Sequence, residues 1–431
     1  MSWRDHLGAL RVDTTPLRGS RDFRLLFLAG TVFYFGAMVA YVAVPFQLYA
    51  LTGSNFAVGA LGLVELAPLV LCGLYGGALA DHVDRRRMLV VTGLAQAVLI
   101  AGLMVNAFAA APRLWLIYVL GGALAAAESL QRPSKDALEP RTVPHDQITA
   151  ASALSSLGTQ AGVLAGPALG GVLVATVGAG WCYAVDVAGL VLASGLFAMM
   201  RPYPHVGETT PPSLRGIAEG LGYAVRRRDL LATYLIDITA MLMAMPVVLF
   251  PALAQDVFAK PQLLGLLYTA ETIGALAATA TSGWSSRVHH HGRAIVLAAL
   301  AYGAAILLAG LAPSIGLAIV FLALAGAADM VSGIFRSTIW NQTIPDRMRG
   351  RLAGIEMLSY SLGPLGGQVR AGLVADAWSV RASVASGGAL CVLGVAAAAA
   401  WLRDFWSYDT RTDEHAVRER ANRSSPGSRP G

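Results

Sequence analysis

Residues 294–312 read Ala294-Ile-Val-Leu-Ala-Ala-Leu-Ala-Tyr-Gly-Ala-Ala-Ile-Leu-Leu-Ala-Gly-Leu-Ala312, a run without a single charged side chain. A helix that crosses a membrane needs about 20 predominantly apolar residues. The run is too long, and alternates too little, for a strand of a transmembrane β-barrel. It therefore predicts a membrane-spanning helix.

Comparable apolar runs recur along the whole chain. They predict twelve spans, at about 24–50, 56–80, 88–108, 114–137, 148–175, 180–200, 230–254, 263–286, 294–312, 315–343, 352–376 and 382–402. Of the 431 residues 55% are hydrophobic and 13% charged, whereas soluble domains carry about 25% charged residues. The mean hydropathy is +0.58. We expect an all-α integral membrane protein without a large soluble catalytic domain.

Basic residues are distributed unevenly between alternate loops. If the N-terminus is cytoplasmic, the inner loops and tails, together with the span ends that adjoin them, hold 26 of the 32 Lys and Arg residues, and the outer loops hold only Arg113, Lys260 and Arg381. Cytoplasmic loops are enriched in Lys and Arg. The net charge of +6 is therefore interpreted as a topology signal and not as a nucleic-acid surface. We expect a multi-pass protein of the cytoplasmic membrane with both termini inside.

The longest internal loop divides the predicted spans six and six. Within it, residues 214–225 have apolar side chains every three to four positions and precede three arginines, which is typical of an amphipathic helix at the membrane surface. A shift of 201 residues places Gly162 on Gly363 and Gly166 on Gly367. We expect two pseudo-symmetric lobes, 23–200 and 230–402, with a cytoplasmic tail 1–22, a linker 201–229 and a disordered cytoplasmic tail 403–431.

No motif in the chain indicates a nucleotide, a metal or a disulfide framework. A phosphate-binding P-loop needs Gly-Lys-Ser/Thr, but the two lysines, Lys135 and Lys260, follow Ser134 and Ala259. The three cysteines lie far apart and form no CxxC pair, at Cys72, Cys182 and Cys391. We expect no cofactor, no metal and no ATPase partner, and an ion gradient as the energy source.

Carboxylates deep in the predicted spans are the candidates for carrying a proton. Charged groups are costly in lipid and mark functional sites by default. The candidates are Glu65, Glu128, Asp237, Glu271, Asp329 and Glu356. Glu65 and Asp237 have no basic neighbour in sequence. Asp329 and Arg336 are two helical turns apart, and Glu128 and Arg132 four residues apart, a spacing that allows direct pairing. The alternative for each is a polar contact between packed helices.

The loop after the second predicted span contains a Gly followed by an Asp and a basic cluster. It reads Gly77-Ala-Leu-Ala-Asp81-His-Val-Asp-Arg85-Arg86-Arg87 and resembles the loop signature of the major facilitator superfamily. The resemblance covers nearly the whole chain and implies twelve helices in two lobes. It also implies a cytoplasmic latch made by Gly77, Asp81, Arg85 and Arg86. His82 and Asp84 depart from the signature, and the alternative is that the cluster only sets topology.

A second motif lies in the fifth predicted span. Gly162-x-x-x-Gly166-Pro167-x-x-Gly170-Gly171 is similar to a signature of the superfamily's proton-coupled exporters. Glycines allow a neighbouring helix to pack closely, and proline allows a bend. Four further stretches resemble the branch that contains the enterobactin exporter and macrolide efflux proteins: 44–47, 249–254, 264–268 with 281–283, and 345–351.

Taken together, these patterns predict a monomeric secondary transporter and not an enzyme. Its expected partners are a small-molecule substrate, protons and the lipid bilayer. We expect export of a small, partly hydrophobic molecule, such as a siderophore or an antibiotic, by proton antiport with alternating access. The alternatives are an ion-coupled importer of a small metabolite and a non-transporting membrane sensor or assembly partner. A membrane enzyme would need a nucleophile or metal constellation that the sequence does not contain.

Overall fold

The computed structural model describes residues 13–80, 83–203, 219 and 222–424, with the backbone alone at 73–80, 346–351, 353–358 and 421–424. Twelve long helices follow one another along the chain. They are α1 (Arg21–Thr52), α2 (Asn55–Ala80), α3 (Arg85–Phe108), α4 (Leu114–Leu138), α5 (Ile148–Thr176), α6 (Ala179–Ala198), α7 (Arg228–Ala244), α8 (Leu264–Ala280), α9 (His291–Leu311), α10 (Ile315–Thr343), α11 (Asp346–Ala377) and α12 (Val380–Trp401).

Every predicted span coincides with one of these helices, which confirms the all-α membrane fold. Among the described residues, eleven helices are long and apolar enough to cross a membrane. The remaining one is α11, which contains the predicted span 352–376. It differs from the others because polar and charged residues, such as Gln368, Arg370 and Asp376, interrupt its apolar sequence.

The seventh predicted span is not one continuous helix. Regular α-helix ends at Ala244, and the chain continues as a 3₁₀ turn, a short α-helical turn and a π turn to Val257. Pro246 and Pro251 lack the backbone N–H that a continuous helix requires. The Tyr302 hydroxyl donates a hydrogen bond to the Ala244 carbonyl at 3.0 Å, so a carbonyl at the break has a partner from α9.

The C-terminal segment differs from the predicted disordered tail as far as residue 424. A short helix, Arg403–Trp406, is followed by α13 (Glu414–Ser424). The Thr410 N–H donates to the His289 carbonyl at 3.1 Å, and its hydroxyl donates to Gln342 at 2.5 Å. Phe405 and Tyr408 are buried, and burial raises the pKa of the Tyr408 phenol. These two aromatic side chains hold an otherwise polar segment in place.

The contacts divide the chain into two compact units. The first comprises Met1–Gln47 and Ala67–Pro211, and the second comprises Leu48–Leu66 and Pro212–Gly431. In the first unit α3 packs against both α4 and α6. In the second unit α9 packs against α10 and α12, and α8 packs against α10. The predicted amphipathic helix at 214–225 lies largely outside the described residues; 222–226 are helical.

The N-terminus of α2 belongs to the second unit and is capped by a carboxylate from α11. Asp376 accepts hydrogen bonds from the Ser54 hydroxyl at 2.5 Å, the Asn55 N–H at 2.8 Å and the Phe56 N–H at 3.0 Å. The first N–H groups of a helix have no partner within the helix, and a negative charge near them is favourable. The carboxylate therefore joins the start of α2 to the end of α11.

Candidate functional site

A charged cluster lies inside the second unit. The Arg336 guanidinium of α10 forms an ion pair with the Asp237 carboxylate of α7. A second guanidinium nitrogen lies 3.4 Å from Oδ1 of Asp329, which is on the same helix as Arg336. The Ser359 hydroxyl of α11 donates to Asp237 Oδ2 at 3.1 Å. Three helices thus contribute to one polar centre.

The two carboxylates of the cluster differ in their surface exposure. The side chains of Asp237 and Arg336 are 3% and 4% exposed, whereas that of Asp329 is 43% exposed. A buried charge is costly unless a partner compensates it, and Arg336 compensates the charge of Asp237. One guanidinium cannot neutralise two carboxylates, and Asp329 is the exposed carboxylate of the two.

Aromatic side chains surround the cluster. The Arg336 guanidinium lies 5.9 Å from the ring centroid of Tyr360, within the range of a cation–π interaction. Trp340 stacks on Tyr234 with centroids 5.2 Å apart, and its indole N–H donates to Thr233 at 2.9 Å. A cavity of about 10 Å³, the size of one water molecule, is lined by Ile236, Asp237, Ala240, Ala299, Tyr302, Asp329 and Ser332.

The contacts in this cluster can be compared with the pairings that the sequence predicts. The spacing of Asp329 and Arg336 predicts an interaction, and the two side chains do contact each other. Asp237 has no basic neighbour in sequence, but in the structure Arg336 and Ser359, from other helices, contact its carboxylate. Neither partner is near Asp237 in sequence.

The other candidate carboxylates outside the first unit's α4 lie on α8, α2 and α11. Glu271 is on α8, its Oε1 is buried without a hydrogen-bond partner, and the charge of Asp329 acts on it. Glu65 is half-buried on α2. The side chain of Glu356 is not among those that the structure describes.

The predicted pair on α4 is not formed. Glu128 and Arg132 are both exposed, and no ion pair within 4 Å joins these two described residues. Both residues lie in the first unit. The same helix carries Lys135, whose Nζ lies 4.3 Å from the ring centroid of Tyr34.

Sequence reasoning missed Lys135, Ser359 and Asp376 as interacting residues. Lys135 was considered only as a P-loop lysine, although a lysine in a predicted span is itself a signal. No sequence pattern marks Ser359 or Asp376, because their partners are far away along the chain.

The described arginines of the predicted latch bind the ends of helices within the first unit. Arg85 donates to the Ala137 carbonyl at 2.8 Å, near the end of α4, and Arg86 donates to the Ala198 carbonyl at the end of α6. Cations at a helix C-terminus satisfy free carbonyls and interact favourably with the helix dipole. Gly77 is within α2 and Asp81 lies outside the described residues, so the latch itself stays a prediction.

The departure from the loop signature at Asp84 has a structural role. Its carboxylate caps α3 by accepting from the Arg87 N–H at 2.9 Å, and it also accepts from the Tyr203 N–H at 2.8 Å. The Tyr203 hydroxyl donates to Asp22 at 2.7 Å. Burial and this hydrogen bond raise the pKa of Tyr203 to about 12. The start of α3 is thereby joined to the residues that follow α6.

The glycine motif of the fifth span packs against the first span. Gly162, Gly166, Pro167, Gly170 and Gly171 are all buried on α5. A Cβ on Gly166 would lie 2.5 Å from the Met38 Cβ and 3.0 Å from the Phe35 carbonyl oxygen of α1.

The second unit repeats this arrangement. A Cβ on Gly367 of α11 would lie 2.3 Å from the Met241 carbonyl oxygen of α7. The two glycine faces correspond in the predicted internal repeat, since Gly166 and Gly367 are 201 positions apart. In each unit, two helices therefore pack closely because a glycine, at the equivalent position of the repeat, has no side chain.

Comparisons with known proteins agree with this architecture. Residues 13–422 match a family model described as transmembrane secretion effector. The enterobactin exporter EntS of Shigella flexneri is 30% identical over 381 residues, covering 86% of this chain and 90% of that protein. EntS of Shigella boydii serotype 18 is 31% identical over the same coverage.

Solved transporters share the fold at low sequence identity. A bacterial homologue of the human lysosomal transporter Spinster, in an inward-facing and unoccupied conformation, has a TM-score of 0.67 at 16% identity and covers 94% of this chain and 98% of its own. A POT family transporter in complex with a thioalcohol-conjugated peptide has a TM-score of 0.70 at 10% identity, with 89% and 96% covered. The chain is a multi-pass membrane transporter and not an enzyme, and it belongs to the transmembrane secretion effector family of the major facilitator superfamily.

Proposed function

We propose that this transporter exports a siderophore-like or similar small, partly hydrophobic molecule from the cytoplasm by proton antiport. The observation that carries the proposal is the similarity to enterobactin exporters over 86% of the chain. The glycine face on α5 supports export over import, because it matches the motif of proton-coupled exporters and packs closely on α1.

The cluster on α7, α10 and α11 supplies a group for energy coupling. With both carboxylates ionised, Asp237, Asp329 and Arg336 carry one net negative charge; a proton on Asp329 makes them neutral. We assign proton exchange to Asp329 because its side chain is accessible, whereas that of Asp237 is buried in an ion pair. Moving one charge through 100 mV is worth about 2.3 kcal/mol, equivalent to about a fifty-fold concentration ratio.

We further propose that Asp237 is a positioning residue. It holds Arg336 in a fixed place through the buried ion pair, and Ser359 in turn orients the carboxylate. A substrate with acidic hydroxyl groups would compete with Asp329 for the guanidinium. Substrate binding and proton binding would then exclude each other, as antiport requires.

The location and orientation follow the charge distribution. We propose that the protein lies in the cytoplasmic membrane with both termini inside, because the basic residues are concentrated in alternate loops. It functions as a monomer, driven by the proton gradient without a bound cofactor.

Everted membrane vesicles with an acidified interior test the proposal. A panel of catecholate siderophores, macrolides and cationic dyes is added outside while a pH-sensitive dye reports the interior. We expect substrate-dependent proton release that Asp329→Asn reduces at least tenfold. Asp404→Asn is the matched control, because Asp404 is 75% exposed and pairs with the exposed Arg228.

The outcomes separate the parts of the proposal. Proton release that survives Asp329→Asn would overturn the assignment of this carboxylate but keep antiport. Substrate accumulation without proton release would overturn proton coupling. No response to any compound by a folded, membrane-inserted protein would overturn the substrate class.

A further inference from the structure

A second buried acid lies in the first unit, outside the cluster described above. Asp186 is on α6, and it is 3% exposed. Its Oδ1 is buried and has no hydrogen-bond partner. No ion pair involves Asp186 among the residues that the structure describes.

The carboxyl group fills the space left by a glycine on α1. A Cβ on Gly36 would lie 2.7 Å from Asp186 Oδ1 and 3.1 Å from its Cα. One turn further along α6, a Cβ on Gly189 would lie 3.3 Å from the Val32 carbonyl oxygen. The two helices therefore approach closely, and α1 covers the carboxyl group.

Helix α4 carries two cations, Arg132 and Lys135, but neither forms an ion pair with Asp186 among the described residues; the Lys135 Nζ lies against the Tyr34 ring instead. The charge whose field acts on it is Glu128 of α4, which has the same sign. α5 carries no ionisable side chain. The basic residues of α1 and α3 lie at their inner ends, at Arg21, Arg24, Arg85, Arg86 and Arg87, where Asp22 is also found. Further ionisable side chains on these helices are Tyr34 of α1 and the buried Tyr183 and Cys182 of α6.

This environment favours the neutral acid. Burial of an ionised carboxylate without a partner is costly, so the carboxyl group binds a proton and becomes neutral. To lose its proton, Asp186 must first contact water, and α1 covers it at Gly36. Proton exchange therefore requires that this turn of α1 move away from α6.

The same turn of α1 is also held from its other side. The glycine face of α5 packs on Tyr34, Phe35 and Met38, on either side of Gly36 in sequence. Pro167 permits a bend in α5 next to this contact. A displacement of the turn by α5 would thus uncover Asp186.

We propose that Asp186 is a second proton-exchange site of this transporter, covered by the turn of α1 around Gly36 and uncovered when that turn leaves α6. This deepens the proposed function, on which its role in transport rests. The protonation of Asp186 itself, however, is measurable without substrate and without transport.

Infrared spectroscopy of the purified protein in lipid nanodiscs tests the protonation state. We expect a carboxylic acid carbonyl band at pH 7 that Asp186→Asn removes. Asp146→Asn is the matched control, because Asp146 is exposed in the loop before α5. An identical carboxylic acid band in wild type and Asp186→Asn would show that Asp186 is ionised and would overturn the proposal. The pH titration of the wild-type band needs no variant, so it remains informative if Asp186→Asn folds poorly.

Transfer into deuterated buffer tests whether the turn of α1 around Gly36 shields Asp186 from water. Deuterium exchange shifts the acid band, and its rate reports access of water. We expect at least a tenfold slower shift when α1 and α6 are joined by a disulfide in Val32→Cys/Gly189→Cys, measured with the three native cysteines replaced by alanine. Reduction of the disulfide should restore the rate. An unchanged rate in the joined protein would overturn the role of α1.

These results are independent of the antiport assay. Failure of substrate-dependent proton release together with a normal Asp186 band would reject the proposed function alone. Proton release together with an ionised Asp186 would reject only this inference.

Discussion

At the scale of single residues, Arg336 is the side chain on which the candidate site depends. It is 4% exposed, pairs with the buried Asp237 and contacts Asp329 and the Tyr360 ring. Its seven-residue spacing from Asp329 indicates a shared face. Its pairing with Asp237 joins α7 to α10, and a sequence does not reveal which helices are neighbours. The residues of the site could thus be predicted, but the ion pair between Asp237 and Arg336 could not.

Removal of Arg336 should destabilise the protein strongly. Arg336→Leu leaves Asp237 buried without its cation, and breaking a buried pair in this way costs about 3–5 kcal/mol. We expect a clearly lower thermal denaturation temperature for the detergent-purified variant. Asp237→Leu/Arg336→Leu should recover most of the loss, because apolar residues can replace a buried pair at little cost.

An exposed ion pair provides the matched control for this experiment. Arg228 and Asp404 are 2.8 Å apart, and both side chains are 75% exposed. Such pairs contribute about 0–1 kcal/mol, so Arg228→Leu should barely change the denaturation temperature. Equal effects of Arg336→Leu and Arg228→Leu would contradict the interpretation of the cluster as a buried, compensated pair.

At the scale of helices, the sequence predicts well which helices exist and approximately where they lie. It predicts poorly where a helix is interrupted. All twelve apolar runs correspond to helices because length and apolar composition determine membrane insertion. The break at Pro246 was visible in the sequence but was not predicted, because prolines are tolerated in membrane helices when neighbours satisfy the free backbone groups. Tyr302, from α9, supplies such a partner. The ordered segment after Leu402 is not apparent from its polar composition, because its partners, such as His289 and Gln342 for Thr410, are far away along the chain.

The glycine face on α5 leads to a second prediction. In Gly166→Ala the new methyl group would lie 2.5 Å from the Met38 Cβ of α1. Overpacking of this kind costs about 1–3 kcal/mol, so we expect a lower denaturation temperature and a lower yield of folded protein. Gly367→Ala should behave in the same way, since a Cβ there would lie 2.3 Å from the Met241 carbonyl oxygen of α7.

A helical glycine without a close neighbour is the control. No atom lies within 4 Å of a Cβ placed on Gly195 of α6. Alanine is favoured over glycine inside a helix by about 0.5–1 kcal/mol, so Gly195→Ala should be neutral or slightly stabilising. A Gly166→Ala variant as stable as Gly195→Ala would show that α1 and α5 are not closely packed at this point.

At the scale of the whole molecule, the few basic residues of the proposed outer loops are informative. Of Arg113, Lys260 and Arg381, the last has a structural role: it donates to the Ala312 carbonyl at 2.6 Å, just after α9 ends. Its guanidinium also lies 5.1 Å from the centroid of the Phe258 ring. Arg381 therefore departs from the enrichment of basic residues in the proposed cytoplasmic loops, and its contacts with Ala312 and Phe258 explain why an arginine is present there.

The proposed orientation leads to a third prediction. Alkaline phosphatase, which is active only outside the cytoplasm, should be active when fused after Pro112 or Lys260. Green fluorescent protein, which fluoresces on the cytoplasmic side, should fluoresce when fused after Arg201 or Gly431. We expect each reporter to be inactive at the other's positions. Phosphatase activity at Gly431 would reverse the orientation and, with it, the direction assigned to transport.

The environment of the two lysines has a practical consequence. Lys135 lies against the Tyr34 ring, whereas Lys260 is exposed. An amine-reactive fluorophore should therefore attach at Lys260 in preference to Lys135, which gives a reporter next to the broken end of α7 without any engineered residue. A protease that cuts only after lysine would yield at most three fragments. The fragment boundary at Lys260 would allow conformational changes around α7 and α8 to be followed by mass spectrometry in the natural protein.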